Sequence, residues 1–112
     1  MGEEIPRKPF KVSGKFVAHR KEIYNYTFDN WGYLQAIRYR QKIDNAIESL
    51  PTHYTSYPPC RHIPTKSHMY RNIILDAHLI IYRITPERIE VLDIVHGASG
   101  VTKIRNVRKI KL

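Results

Sequence analysis

Five basic or imidazole side chains, Lys66, His68, Arg71, Arg83 and His96, fall on or beside the β-rich runs in the second half of the chain. Groups of this kind do two sorts of work: guanidinium and ammonium ions hold phosphate, and an imidazole moves protons near neutral pH. Alternation sets Arg71 and Arg83 against apolar neighbours, so on adjacent strands they are expected to share a face and converge on a phosphate. A solvated outer sheet face accounts for the same pattern. His96, directly before Gly97, reads either as a cap at the sheet end or as a proton carrier.

The other candidate chemistries are thinner. Cys60-x-His62 followed by His68 is the one cluster of ligand-type residues, and it lacks the paired spacing of structural zinc sites, so no metal and no cofactor is expected. Cys60 has no sequence neighbour that would activate it as a nucleophile, and as a single cysteine it forms no intrachain disulfide. No glycine-rich phosphate loop, G-x-S-x-G or H-E-x-x-H is written here, which removes the standard kinase, dinucleotide, serine-hydrolase and zincin chemistries. Nineteen Lys and Arg against ten Asp and Glu give a formal net charge of +9. That field favours polyanions and acidic partners: RNA, DNA, a ribosome or an acidic protein. The charge is uneven, since residues 101–112 hold Lys103, Arg105, Arg108, Lys109 and Lys111 and no acid, which makes this basic tail a candidate target-binding surface. With no secretion signal and no apolar stretch long enough to span a bilayer, a cytoplasmic protein without a membrane role is expected.

Periodicity supplies the elements that must position these groups. Residues 1–10 read as a loose leader, and residues 10–18 (FKVSGKFVA) as a first or edge strand weakened by Gly14. A short helix over residues 19–30 ends at Trp31-Gly32, and a second over 33–50 carries Ala36, Ile43, Ala46, Ile47 and Leu50 on one face until Pro51 stops it. Only two residues separate them, which predicts an antiparallel helical hairpin. A proline-rich loop over 52–66 follows, then strands over 69–75, 79–84 and 88–95 joined by Asp76-Ala77-His78 and the turn Thr85-Pro86-Glu87-Arg88. The expected architecture is one α+β domain, an N-terminal strand and helical hairpin packed on one face of an antiparallel β-meander. In the tail Ile104, Val107 and Ile110 offer a thin apolar stripe, read as a segment carrying target engagement and little folding energy; the competing reading is an ordinary terminal element sealing the sheet.

Several runs, taken in this order, resemble ParE toxins: Ile23-Tyr24-Asn25-Tyr26-Thr27, Trp31-Gly32, Gln35-Ala36, Arg38-Tyr39 and Ile47-Glu48-Ser49-Leu50 in the hairpin. Downstream, Tyr70-Arg71, His78, Ile81-Tyr82-Arg83, Ile89-Glu90-Val91-Leu92 and Ile94-Val95-His96-Gly97 are similar to the sheet of ParE and RelE-like plasmid-stabilisation proteins, so the resemblance spans about residues 15–97. It implies the toxin of a type II toxin–antitoxin system with a RelE/ParE-like fold, neutralised by a cognate antitoxin protein held on the hairpin, with Ile23, Tyr26, Trp31, Tyr33 and Ile37 as antitoxin-binding residues. On the ParE branch it implies growth inhibition through DNA gyrase without hydrolysis. On the RelE branch it implies an endoribonuclease cutting mRNA on the ribosome, for which Lys66, His68, Arg71, Arg83 and His96 supply the cations and proton carriers that 2′-hydroxyl attack needs. Trp31-Gly32 and Gln35-Ala36 favour ParE, as does the ending Arg108-Lys109-Ile110-Lys111-Leu112, which lacks the C-terminal Tyr of many RelE-like nucleases. A non-toxic regulatory member is a third possibility, distinguished by antitoxin binding without toxicity.

Overall fold

The structure, a computed structural model, describes residues 5–112. Strand β1 is only Phe10–Val12. Ser13 ends it: its N–H donates to Val91 O across the sheet edge, while its Oγ accepts from Phe16 N at 2.9 Å and caps helix α1, Gly14–Trp31. The run expected as one strand over residues 10–18 is therefore split. Phe16 lies on the first turn of α1, fully buried in the core, and the serine cap satisfies its N–H, one of the orphan groups that a helix start leaves open. Gly32 closes α1 with a bond from its N–H to Phe28 O, and at φ +89° it adopts backbone that a side chain would disfavour. Helix α2, Tyr33–Glu48, runs back beside α1, and Ala36, Ile43 and Ile47 form its buried stripe. Pro51 does not stop the chain but sits in the first turn of a short helix α3, Leu50–His53, where its missing N–H costs nothing.

Strands β2 (Tyr70–Ile74), β3 (His78–Ile84) and β4 (Ile89–His96) form the antiparallel meander, and β1 adds to its far edge parallel to β4, in the order β1-β4-β3-β2. The register shifts by one residue where Ile81 faces Asp93 and Tyr82 faces Val91, so Leu92 is the extra residue of a bulge.

Two cores flank this sheet. On the hairpin side, Phe16, Ile43, Ile47 and Leu50 pack with Ile73, Ile80, Tyr82, Ile89, Val91 and Ile94. On the other side the proline loop contributes Cys60 and Ile63, and the chain's end contributes Ile104 and Val107, over Ile81, Leu92 and Val95. The outer face is thus covered, not solvated, and every residue of β4 except His96 is buried, as in a strand with both faces packed. The basic tail is helix α4, Val101–Asn106, followed by a 3₁₀ turn, Val107–Lys109. It packs through its apolar stripe as an integral part of the fold. The leader is also less loose than its composition predicts: residues 1–4 lie outside the described residues, but Lys8 N donates to Pro51 O, Tyr54 Oη to Pro6 O at 2.6 Å and Ile89 N to Pro9 O.

Candidate functional site

Where the hairpin runs past the end of the sheet it leaves a cleft of about 870 Å³. Its walls are Glu22, Ile23, Tyr26 and Thr27 of α1, Trp31 at the tip, and Gln35 and Tyr39 of α2; its floor is Asp76, Ala77 and His78 at the β2–β3 turn and His96 at the end of β4. Tyr26 and Trp31 are 66% and 73% exposed, unusually bare for side chains of this size. Helical spacing explains the wall, since Ile23, Tyr26 and Thr27 fall on one side of α1.

The floor is a connected polar array. Tyr39 Oη and His78 Nδ1 are 2.6 Å apart, and burial raises the Tyr39 pKa, so the phenol stays protonated and donates to a neutral imidazole. His78 is itself pushed below the ordinary imidazole value, first by burial and then by the neighbouring His96. The two histidines are direct cross-strand partners, their rings 5.6 Å apart and nearly perpendicular. His96 Nδ1 accepts from Ala98 N at 3.1 Å. With its Nδ1 accepting from Tyr39, the neutral His78 ring keeps its Nε2–H as a donor, suited to a partner's carbonyl oxygen.

Of the antitoxin contacts that the resemblance implies, Ile23, Tyr26 and Trp31 line the cleft. Tyr33, exposed, and Ile37, half-buried, lie on α2 outside the lining. Tyr39, His78 and Glu22 join them in the lining, beyond the antitoxin contacts that the resemblance implies. The signal for His78 lay in strand pairing: assigned to the turn it has no partner, whereas as the first residue of β3 it faces His96.

The five-residue phosphate set is not brought together. Arg71 pairs with Tyr82 and Arg83 with Tyr70, so the two guanidinium groups take opposite faces of the sheet and the expected convergence fails. Each is also committed elsewhere. Arg71 Nη1 donates to Tyr57 O at 2.8 Å and its Nε to His68 O, tying down the proline loop. Arg83 makes a two-pronged bond to buried Glu90 at 2.6 and 2.8 Å and reaches the carbonyls of Arg108 and Ile110, clamping the tail to the sheet. Lys66 and His68 are exposed in the loop, His68 at φ +54°, and His96 lies at the opposite end of β4 from Glu90, ~20 Å along an extended strand.

The tail cations occupy the outer side of a docked segment. Lys103, Arg105, Arg108, Lys109 and Lys111 are exposed and make no ion pair among the described residues. Lys109 and Lys111, with Lys15 of α1, line a second, shallower groove of about 530 Å³.

A helical hairpin overhanging one end of a sheet, with the sheet's far face sealed by a basic terminal helix, makes a small α+β fold. The family model described as the ParE toxin of the type II toxin-antitoxin system parDE matches residues 10–100. Toxin ParE1 of Mycobacterium tuberculosis is 31% identical over 87 residues, 77% of this chain and 86% of the relative. Toxin ParE1 of Caulobacter vibrioides is 26% identical over 93 residues, 83% of this chain and 93% of the relative. Among solved structures, a chain of the chromosomal ParDE TA system from P. aeruginosa superposes with a TM-score of 0.66 at 18% identity, covering 80% of this chain and 96% of that one. The chain belongs to the ParE toxin family of type II toxin–antitoxin systems.

Proposed function

We propose that this ParE-family toxin arrests growth in the cytoplasm by inhibiting DNA gyrase, and that a cognate antitoxin neutralises it by laying a segment into the hairpin cleft. The observation that carries the second half is the cleft itself, where Tyr26 and Trp31 stand bare above a polar floor, the anatomy of an anchor site awaiting a partner. Ile23 lies within that surface, and the antitoxin contacts proposed at Tyr33 and Ile37 lie on α2 outside it. The ParDE description of the P. aeruginosa structure supports the same pairing. In favour of gyrase over messenger RNA stands the dispersal of Lys66, His68, Arg71, Arg83 and His96, which removes the constellation that RNA cleavage needs. In this reading the tail cations Lys103, Arg105, Arg108, Lys109 and Lys111 face the target. A paired assay tests it: the purified protein inhibits gyrase supercoiling and leaves ribosome-bound mRNA intact by primer extension. Codon-phased cleavage with unaffected gyrase refutes the gyrase assignment.

A further inference from the structure

The cleft is charged against the grain of the molecule. In a chain of net charge +9, none of its lining residues is Lys or Arg, while two are acids, Glu22 and Asp76. Asp76 is bonded to Lys42 at 2.9 Å, but Glu22 makes no ion pair among the described residues. Tyr26, Trp31 and Tyr39 bring phenol and indole π faces to the lining, and Tyr39 and His78 are neutral in the states their hydrogen bond favours. A bare phenol one helical turn from an unpaired carboxylate, with an indole at the tip of the same cleft, forms an environment that an arginine or lysine selects, through charge pairing and cation–π contact. An acidic anchor gains nothing from Glu22 or from the ring faces.

We infer that the cleft takes an amphipathic segment of the antitoxin whose central anchor is an arginine or lysine flanked by apolar residues. This rests on the antitoxin reading above and adds the chemistry of the contact. It also resolves a tension in that reading: a partner drawn by +9 is net acidic, yet here it must present a cation. The antitoxin's charge pattern is therefore mixed, with its acids facing the lysine-bearing surfaces and one cation entering beside Glu22 and Tyr26, under the Trp31 tip.

The experiment measures affinity by calorimetry, using the full toxin and the full-length antitoxin encoded beside it. Glu22→Lys, on an exposed helical face, is expected to weaken binding by roughly ten-fold or more, and Trp31→Ala by roughly thirty-fold. Glu87→Lys, in the β3–β4 turn at the other end of the sheet, makes the same change in net charge and leaves affinity unchanged or slightly tighter. Substituting the antitoxin's anchoring cation by Glu restores binding to Glu22→Lys. Circular dichroism confirms that each variant is folded. Because Trp31 is the only tryptophan, its indole N–H resonance gives a second readout without the antitoxin: N-acetyl-arginine amide shifts it at concentrations where N-acetyl-glutamate amide does not. Equal effects of Glu22→Lys and Glu87→Lys overturn the inference while leaving the antitoxin reading intact. No complex with the wild-type toxin overturns that reading instead, and an indole resonance blind to both amides counts against the cation site by itself.

Discussion

Glu90 shows how a single residue reconciles chemistry with burial. A carboxylate on a fully packed strand is opposed by desolvation, but hydrogen bonds and charge from Arg83 and Arg88 prevail and hold its pKa below the ordinary carboxylate value. A depressed folded pKa means that this stabilisation is present above the unfolded value of about 4.3 and is lost as pH falls through the lower folded one. Thermal melts should therefore lose ground below about pH 4, and Glu90→Gln should flatten that limb while lowering stability at pH 7. Arg83→Ala is expected to cost about 3 kcal/mol in urea unfolding, since it leaves half of a buried pair and frees two tail carbonyls; Lys, without the planar fork, should recover little of it. His78 behaves in the same direction for a different reason. Burial, then His96, favours its neutral form, so the folded state binds protons less readily than the unfolded chain, and stability declines as pH drops below about 6.5. His78→Gln should remove that slope between neutral pH and pH 5.5, and a slope unchanged by the substitution would refute this account of it.

Secondary elements were legible where local pattern and global packing agree. The α2 stripe and the three apolar runs of the meander were read within a residue or two, because the 3.6-residue period and the β-branched runs are local properties. The β1–α1 boundary was not: FKVSGKFVA alternates passably, and only the pairing of Ser13 with Val91 and Leu92 shows that Ser13 leaves the sheet and caps a helix. Arg71 and Arg83 depart from the shared face that alternation predicts for a sharper reason. A single residue of register, set by where β3 begins, decides which face each side chain takes, and assigning His78 to the turn or to the strand moves that beginning. The cleft was half legible, since Ile23, Tyr26 and Trp31 recur on one helix side, whereas Tyr39, His78 and His96 meet only once the sheet has folded. Least visible was the second core, whose members run from Cys60 to Val107 and share no local period. It changes what truncation does. Deleting residues 101–112 should strip cover from Ile81, Leu92 and Val95 and give an insoluble or unfolded product by circular dichroism, where the bare charge pattern points to a target-engaging arm that carries little folding energy. Ile104→Ala alone should cost about 3 kcal/mol.

At the scale of the whole molecule, charge and apolar surface are divided between two regions. The cleft lies where the hairpin overhangs the His96 end of the sheet; the tail begins just beyond His96 and returns along the opposite face until its last carbonyls meet Arg83, so Lys109 and Lys111 end far from Trp31. Because the tail is part of the core, its charge must be separated from its packing to learn what it does. Replacing Lys103, Arg105, Lys109 and Lys111 together by Gln keeps Ile104 and Val107 in place and removes four exposed positive charges. The variant should melt within a degree or two of wild type, since exposed unpaired charges contribute little to stability. Antitoxin affinity should change by less than about three-fold at physiological salt, because none of the four side chains lines the cleft and exposed charges are screened over a Debye length of about 8 Å. Growth inhibition, in contrast, should fall sharply, and any binding to DNA or to DNA-bound gyrase should lose about 0.9 in the log–log salt slope for each phosphate contact removed. Full toxicity in a folded variant would move target engagement off the tail. Loss of both toxicity and antitoxin binding would instead mean that the two partners share one surface, and that neutralisation works by direct occlusion of the target site.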